Sequence, residues 1–126
     1  MSKKKRILII DDEPDVITYL SALLEDNGYE ITAAKDGNEA LAIIRAEKPD
    51  AVTLDITMPE KSGVKFYREV KDDDELKEIP IIVVTGISED FEKFISTRKQ
   101  VSPPDGYIQK PIDREEMLST LKKLLY

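Results

Sequence analysis

Ile7-Leu8-Ile9-Ile10 is apolar at every position, with no alternation between a wet and a dry face, and acids follow at once. A strand built that way is buried on both sides, as at the centre of a parallel sheet covered by helices. Ile81 to Val84 repeats the pattern after Pro80, which suits a strand's first position, and Ala51 to Leu54 reads as a third such run. Between the runs the period changes to a helical one. Val16, Leu20, Leu23 and Leu24 give one apolar face from Pro14 onward, with Gly28 after Asn27 as a C-terminal stop. Tyr29, Ile31 and Ala33 alternate as a strand. After the Asp36-Gly37-Asn38 turn, Ala40, Leu41 and Ile44 mark a second helix that must end before Pro49.

The same order continues to the C-terminus. Val64, Tyr67 and Val70 mark a third helix, and Ser88 caps a fourth that carries Phe91 and Ile95. The stretch Lys99 to Gly106 is irregular, since Pro103 and Pro104 forbid a continuing helix. Tyr107-Ile108-Gln109 is a fifth short strand, and Asp113 with Glu116 starts a fifth helix in the manner of a capping box, with Met117, Leu118, Leu121, Leu124 and Leu125 on its stripe. Five strands alternating with five helices predict one α/β domain over residues 1–126 with a parallel sheet, residues 1–5 forming a flexible basic flank. That alternation fits many folds and names no function.

Composition removes whole classes of chemistry. With no cysteine and no histidine, the chain holds no disulfide, thiolate site, Ser-His-Asp triad or phosphohistidine. A net charge of −7 repels nucleic acid and anionic membranes, and Lys3, Lys4, Lys5 and Arg6 read as a solvated flank rather than a binding patch. No apolar run approaches a membrane span and no secretion signal precedes the first strand, so a cytoplasmic protein is expected, touching neither membrane nor nucleic acid.

Ligands of an open parallel sheet bind beyond the carboxyl ends of its strands, so the residues that end each strand carry the functional information. The first strand ends in Asp11-Asp12, the third in Asp55, the fourth in Thr85-Gly86 and the fifth in Lys110-Pro111. Three carboxylates crowded together repel, and Lys110 cannot neutralise three acids alone. A hard divalent cation such as Mg²⁺ resolves the conflict and leaves positions for water and phosphate. A carboxylate is also a competent nucleophile in phosphoryl transfer. Asp55, on the central strand, is then the candidate nucleophile, with Asp11 and Asp12 holding the metal. The Thr85 hydroxyl and Lys110 contact phosphoryl oxygens, and Gly86 leaves room for the group. Each piece has a plainer reading: Asp-Asp before a helix is commonly a cap, a lone Asp or Lys-Pro commonly a turn. All of them at one sheet edge is what the plainer readings do not explain.

These residues resemble the receiver domain of two-component response regulators, of the chemotaxis-receiver kind. The likeness rests on Ile-Leu-Ile-Ile-Asp-Asp-Glu (7 to 13), Leu-Asp-Ile-Thr-Met-Pro-Glu-Lys-Ser-Gly (54 to 63), Val-Val-Thr-Gly (83 to 86) and Tyr-Ile-Gln-Lys-Pro-Ile (107 to 112), four signatures in order over essentially the whole chain. The resemblance implies a flavodoxin-like, doubly wound sheet of order 2-1-3-4-5. It implies Asp55 as phosphoacceptor, Asp12 as a direct Mg²⁺ ligand, Asp11 acting through a metal-bound water, and the Thr57 carbonyl as a further ligand beside the phosphoryl pocket, with Mn²⁺ an expected substitute. Lys110 resembles the family's lysine, with a cis bond to Pro111, and Thr85 with Tyr107 resembles its switch pair. The donor implied is a histidine kinase or a histidine phosphotransfer protein. The output, to a downstream protein or a second copy, would run through the fourth helix, fifth strand and fifth helix.

The stretch between Thr85 and Lys110 is a little longer than usual for the family and carries Pro103-Pro104 where many members have Gly-Ala. Ile87 and Thr57 would flank a water attacking the acyl phosphate and so set its lifetime. A phosphohydrolase with an aspartyl-phosphate intermediate is the competing enzyme reading, but its general acid would stand where Thr57 does. A flavodoxin would need a phosphate loop after the first strand, where Asp11-Asp12 repels an anion. The chain ends just after its fifth helix, so no effector domain is expected within it. The reading is therefore a signalling phosphoacceptor rather than an enzyme.

Overall fold

The computed structural model describes residues 4–56, 58, 62–86 and 104–126. Five strands, β1 (Arg6–Ile10), β2 (Glu30–Ala34), β3 (Ala51–Asp55), β4 (Ile81–Thr85) and β5 (Gly106–Gln109), form one parallel sheet in the order β2-β1-β3-β4-β5. The described helices are α1 (Pro14–Asp26), α2 (Gly37–Ala46), α3 (Ser62–Asp72) and a C-terminal helix (Arg114–Leu125). The helix expected from Ser88, with Phe91 and Ile95, lies outside the described residues, as do Thr57 and Ile87. None of the described helices is long and apolar enough to cross a membrane.

The two-faced strands have the physical cause expected of them. Leu8 and Ile10 of β1 join Val52, Leu54, Ile81 and Val83 in a core under α2 and α3, whereas Ile7 and Ile9 join Ile82, Val84 and Ile108 in a second core under α1 and the C-terminal helix. Successive side chains point to opposite faces, so a central strand needs an apolar residue at every position. Strand β2 sits at the edge, and there the expected alternation fails. Tyr29 is buried and Ile31 half-buried, but Ala33 is exposed and it is Ala34 that packs inside. Ala33 faces a shallow groove lined by Pro14, Ile17 and Thr18, where α1 begins and leaves the sheet uncovered, while Ala34 meets the core under α2.

Local signals set the helix ends. Gly28 has φ 89°, the left-handed conformation that costs glycine least. Its N–H donates to the Glu25 carbonyl and that of Tyr29 to Leu24, a Schellman closure of α1. Asp36 accepts from the Glu39 N–H at the start of α2, and Asp113 from Glu116 at the start of the C-terminal helix. The Asp36-Gly37-Asn38 turn is thus the first turn of α2 rather than a separate loop.

Close approach places α3. A Cβ at Gly63 would collide with the Asp55 carbonyl oxygen, and one at Gly37 with the Ser62 carbonyl, so the first turns of α2 and α3 press on each other and on the end of β3. At the opposite edge, the Asp105 carboxylate accepts from the Ile81 N–H at 2.9 Å and pairs with Lys71 at 3.5 Å, a lysine whose side chain is only 8% exposed. This ties α3 to the starts of β4 and β5.

Two opposing effects act on Gly63→Ala. Helix propensity favours alanine by up to about 1 kcal/mol, while forcing a methyl into packed backbone costs typically about 1–3 kcal/mol. The obstacle at Gly63 is backbone, which cannot swing aside, so the collision wins. The expected result is a net loss of up to about 2 kcal/mol in urea unfolding, the balance of those two terms; an alanine variant more stable than the parent, as propensity alone would give, would show that α3 does not bear on β3 this closely. Phe66→Ala, which empties a fully buried ring site, is expected to cost more, about 3–5 kcal/mol.

Candidate functional site

The strand ends meet where the sheet topology directs them. Parallel pairing sets Ile10 opposite Leu54 and Asp55 opposite Val84, so the residues that follow β1 and end β3 lie at one level of the C-terminal edge. Asp11 continues the ladder for one more bond, its N–H donating to the Ala34 carbonyl at 3.1 Å. On the far side the Lys110 N–H donates to the Thr85 carbonyl at 2.8 Å, which brings the residue after β5 level with the end of β4. The Lys110–Pro111 peptide is cis, as the resemblance implied.

From these anchors the Lys110 ammonium reaches into the acids. Its Nζ lies 3.1 Å from Asp11 Oδ2, 3.4 Å from Asp55 Oδ2 and 3.5 Å from Glu13 Oε1. Asp11 and Asp55 are almost fully buried, at 2% and 1% exposure, while Asp12 and Glu13 stand at the mouth. Carboxylate oxygens of Asp11, Asp12, Glu13 and Asp55 all lie within 4.8 Å of one another. Such a set of hard oxygen donors suits a divalent cation, and the metal-ligand candidates Asp11, Asp12 and Asp55 are all in it. The fourth proposed ligand, the Thr57 carbonyl, lies outside the described residues.

The capping explanation of Asp11-Asp12 can now be weighed. The N-cap of α1 is Glu13, which makes no side-chain capping bond, and Pro14 at the first helical position has no N–H to satisfy. Asp11 Oδ1 accepts from the Glu13 N–H at 2.9 Å, which fixes the carboxylate and leaves Oδ2 for Lys110. Neither Asp is the N-cap of α1, and Asp11 divides its two oxygens between the Glu13 N–H at the helix start and the Lys110 ammonium. Glu13 is the member that strand-end reasoning passed over, because only Asp11 and Asp12 were taken to end β1. The signal was present as a third consecutive acid.

Thr85 is fully buried and ends β4, and Gly86 beside it is exposed, with open space where a side chain would be. Tyr107 is half-buried and packs against the core under α2 and α3. It stands opposite Val83, and Thr85 stands opposite Gln109, so Thr85 and Tyr107 share a sheet face two residues apart along the strands.

The electrostatics follow from crowding. Burial pushes the Asp11 carboxyl above its ordinary value, and the nearby Asp55 charge adds to this, against the opposing pull of the Glu13 N–H and Lys110. At Lys110 burial acts to lower the pKa, but the hydrogen bond to Asp11 and the charges of Asp55, Asp11 and Glu13 outweigh it, so the group is held above the ordinary lysine range. Lys110 is thus a cation at neutral pH. It is an incomplete partner for four acids.

Comparison with known proteins adds an independent line. Residues 7–122 match the family model described as response regulator receiver domain. The chain is 37% identical over 120 residues to protein PilH of Pseudomonas aeruginosa, covering 95% of this chain and 97% of that one. It is 32% identical over 121 residues to the alkaline phosphatase synthesis transcriptional regulatory protein PhoP of Bacillus subtilis, covering 96% of this chain but only 48% of that longer protein. Among solved structures, the response regulator protein TrrA of Thermotoga maritima, in complex with Mg²⁺-BeF, superposes with a TM-score of 0.83 at 36% identity over 96% of this chain and 99% of that one.

Because burial raises the Asp11 pKa on folding, the carboxylate opposes folding at neutral pH, and that opposition is absent below the ordinary value of 3.8, where Asp11 is protonated in both states. In divalent-free buffer, Asp11→Asn is therefore expected to raise the urea midpoint at pH 7, the gain shrinking to nothing as pH falls below 3.8. The lysine has the opposite consequence in alkali: its stabilisation is complete below 10.5 and is lost as pH rises through the elevated folded value. Lys110→Met should accordingly remove part of the parent's alkaline unfolding transition.

Proposed function

Given that the chain belongs to the response regulator receiver domain family, we propose that Asp55 is its phosphoacceptor and that Mg²⁺ binds among Asp11, Asp12 and Asp55, with the Thr57 carbonyl as a further ligand. The observation that carries this reading is the convergence of two buried acids, Asp11 and Asp55, on the Lys110 ammonium at 3.1 and 3.4 Å on the rim of the sheet.

An Asp55 carboxylate oxygen attacks the phosphorus of a donor phosphohistidine. The P–N bond breaks, its electron pair returns to the imidazole, and a mixed anhydride forms on Asp55. Mg²⁺, when bound, would offset the negative charge of the crowded acids and of the phosphoryl oxygens. Lys110 follows the developing negative charge, its ammonium already within reach of Asp55. Gly86 leaves space at the rim for the group. Burial of Asp55 beneath that rim limits the approach of water.

The donor is a sensor histidine kinase or a histidine phosphotransfer protein, since the chain has no histidine of its own. Thr85 and Tyr107 form the switch: the hydroxyl moves to a phosphoryl oxygen and the tyrosine ring follows on the same face of the sheet. The changed surface comprises β5, the C-terminal helix and the helix expected from Ser88, with Phe91 and Ile95, and meets a downstream protein or a second copy rather than nucleic acid or membrane. The protein works in the cytoplasm as a single receiver unit, and the flexible flank expected at residues 1–5 does not extend to Lys5, which is half-buried and whose carbonyl accepts from the Glu30 N–H at 2.9 Å. It is a signalling acceptor without turnover of small phosphate esters, because the position that would supply a general acid is Thr57. Mn²⁺ replaces Mg²⁺ on the same oxygen donors.

Incubation with acetyl phosphate and Mg²⁺ is expected to add one phosphoryl group by intact mass, and none to Asp55→Asn or after chelation. An unchanged yield in Asp55→Asn would move the acceptor elsewhere. Thr85→Ala should still be phosphorylated, while losing the amide chemical-shift changes around Tyr107 that phosphorylation of the parent produces.

A further inference from the structure

The family reading uses three acids and leaves Glu13 without a task. Its backbone is the N-cap of α1, yet its carboxylate makes no capping bond; it turns instead to Lys110 at 3.5 Å, with 61% of the side chain exposed. An ion pair that long and that open holds little energy. A dipole contact with the first turn of α1 would add as little. Neither role explains why the carboxylate shares a 4.8 Å neighbourhood with Asp11, Asp12 and Asp55.

We propose that Glu13 is a positioning residue for the cation site: its charge strengthens divalent-cation binding, and its carboxylate gives the Lys110 ammonium a partner when a cation takes over Asp11 and Asp55. The inference rests on the reading of Asp11, Asp12 and Asp55 as a Mg²⁺ site. Lys110 now occupies the space between those acids, so an arriving cation must displace a like charge. Glu13 is the neighbouring acid nearest solvent that already touches Lys110, and it receives the displaced ammonium at small cost because their present contact is weak. A unit charge on the order of 5 Å from a divalent ion in a water-like dielectric changes its affinity by about tenfold at low salt, and by about twofold in half-molar salt.

The test is calorimetric titration of the unphosphorylated full chain with MgCl₂, which needs no phosphoryl transfer. Glu13→Gln is expected to weaken Mg²⁺ binding by about tenfold at low salt and about twofold in half-molar salt, the values set by Coulombic attraction and its screening. Glu13→Asp keeps the charge and should stay within about threefold of the parent, as distance changes a Coulombic term only gradually. Thermal unfolding of both variants, expected to match the parent, separates a charge effect from a damaged helix start. Equal Mg²⁺ affinity in Glu13→Gln and the parent, with Asp12→Asn greatly weakened, would overturn the role of Glu13 and leave the three-acid site standing. A loss in Glu13→Gln that salt does not diminish, or that Glu13→Asp shares in full, would also overturn it. A parent that binds no Mg²⁺ would remove both the site and this extension of it.

Discussion

Two carboxylates, Asp11 and Asp55, are almost fully buried at the edge of a sheet whose interior is largely apolar, and the ammonium of Lys110 is what makes that tolerable. An unpaired buried charge would cost several kcal/mol by the usual order of magnitude. The pairing spans 99 residues of sequence for Asp11 and 55 for Asp55. Everything that holds β1, β3 and β5 in their places therefore contributes to the site, and the site returns little stability in exchange. A raised Asp11 pKa is the sign of that imbalance: burial strips the carboxylate of water, the Asp55 charge adds to this, and the Glu13 N–H and Lys110 together do not offset both.

The scaffold answers with rigidity. Both faces of the sheet are sealed by cores of buried aliphatics, so β1 and β3 have no freedom to slide, and a one-residue slip would exchange the two cores. The close approach at Gly63 presses α3 onto the end of β3, where Asp55 sits, and that at Gly37 presses α2 onto the start of α3. At the other edge, Asp105 joins Lys71 and the Ile81 backbone, fixing the start of β5 two residues before Tyr107. Lys110 is thus delivered by a strand anchored at its start through Asp105 and at its end through the Thr85 carbonyl. A long, flexible side chain placed by so firm a backbone can shift among several acids without the fold moving, a suitable arrangement for a group that must meet different partners in turn.

Much of this was legible in the residues. Strands apolar on both faces announced a parallel sheet, and the rule that ligands gather beyond the strands' carboxyl ends pointed to Asp11, Asp12, Asp55, Thr85 and Lys110 before any coordinates. Reasoning went astray where periodicity had no neighbour to act on. Ala33 satisfied the alternation of β2 and is exposed, because α1 does not cover that corner of an edge strand. Glu13 was passed over because only Asp11 and Asp12 were read as ending β1.

Sequence alone determined which segments become strands and helices, since burial on one face or two leaves a period in the residues themselves, and it determined the chemical kind of each strand end. Tertiary structure decided which of those ends meet and at what distance: that Lys110 stands between Asp11, Asp55 and Glu13, that Gly63 lies against the Asp55 carbonyl, and that Lys71 finds Asp105. Those facts depend on ångström-scale separations between residues far apart along the chain. A local period carries no record of such separations, because they are set only when the layers pack.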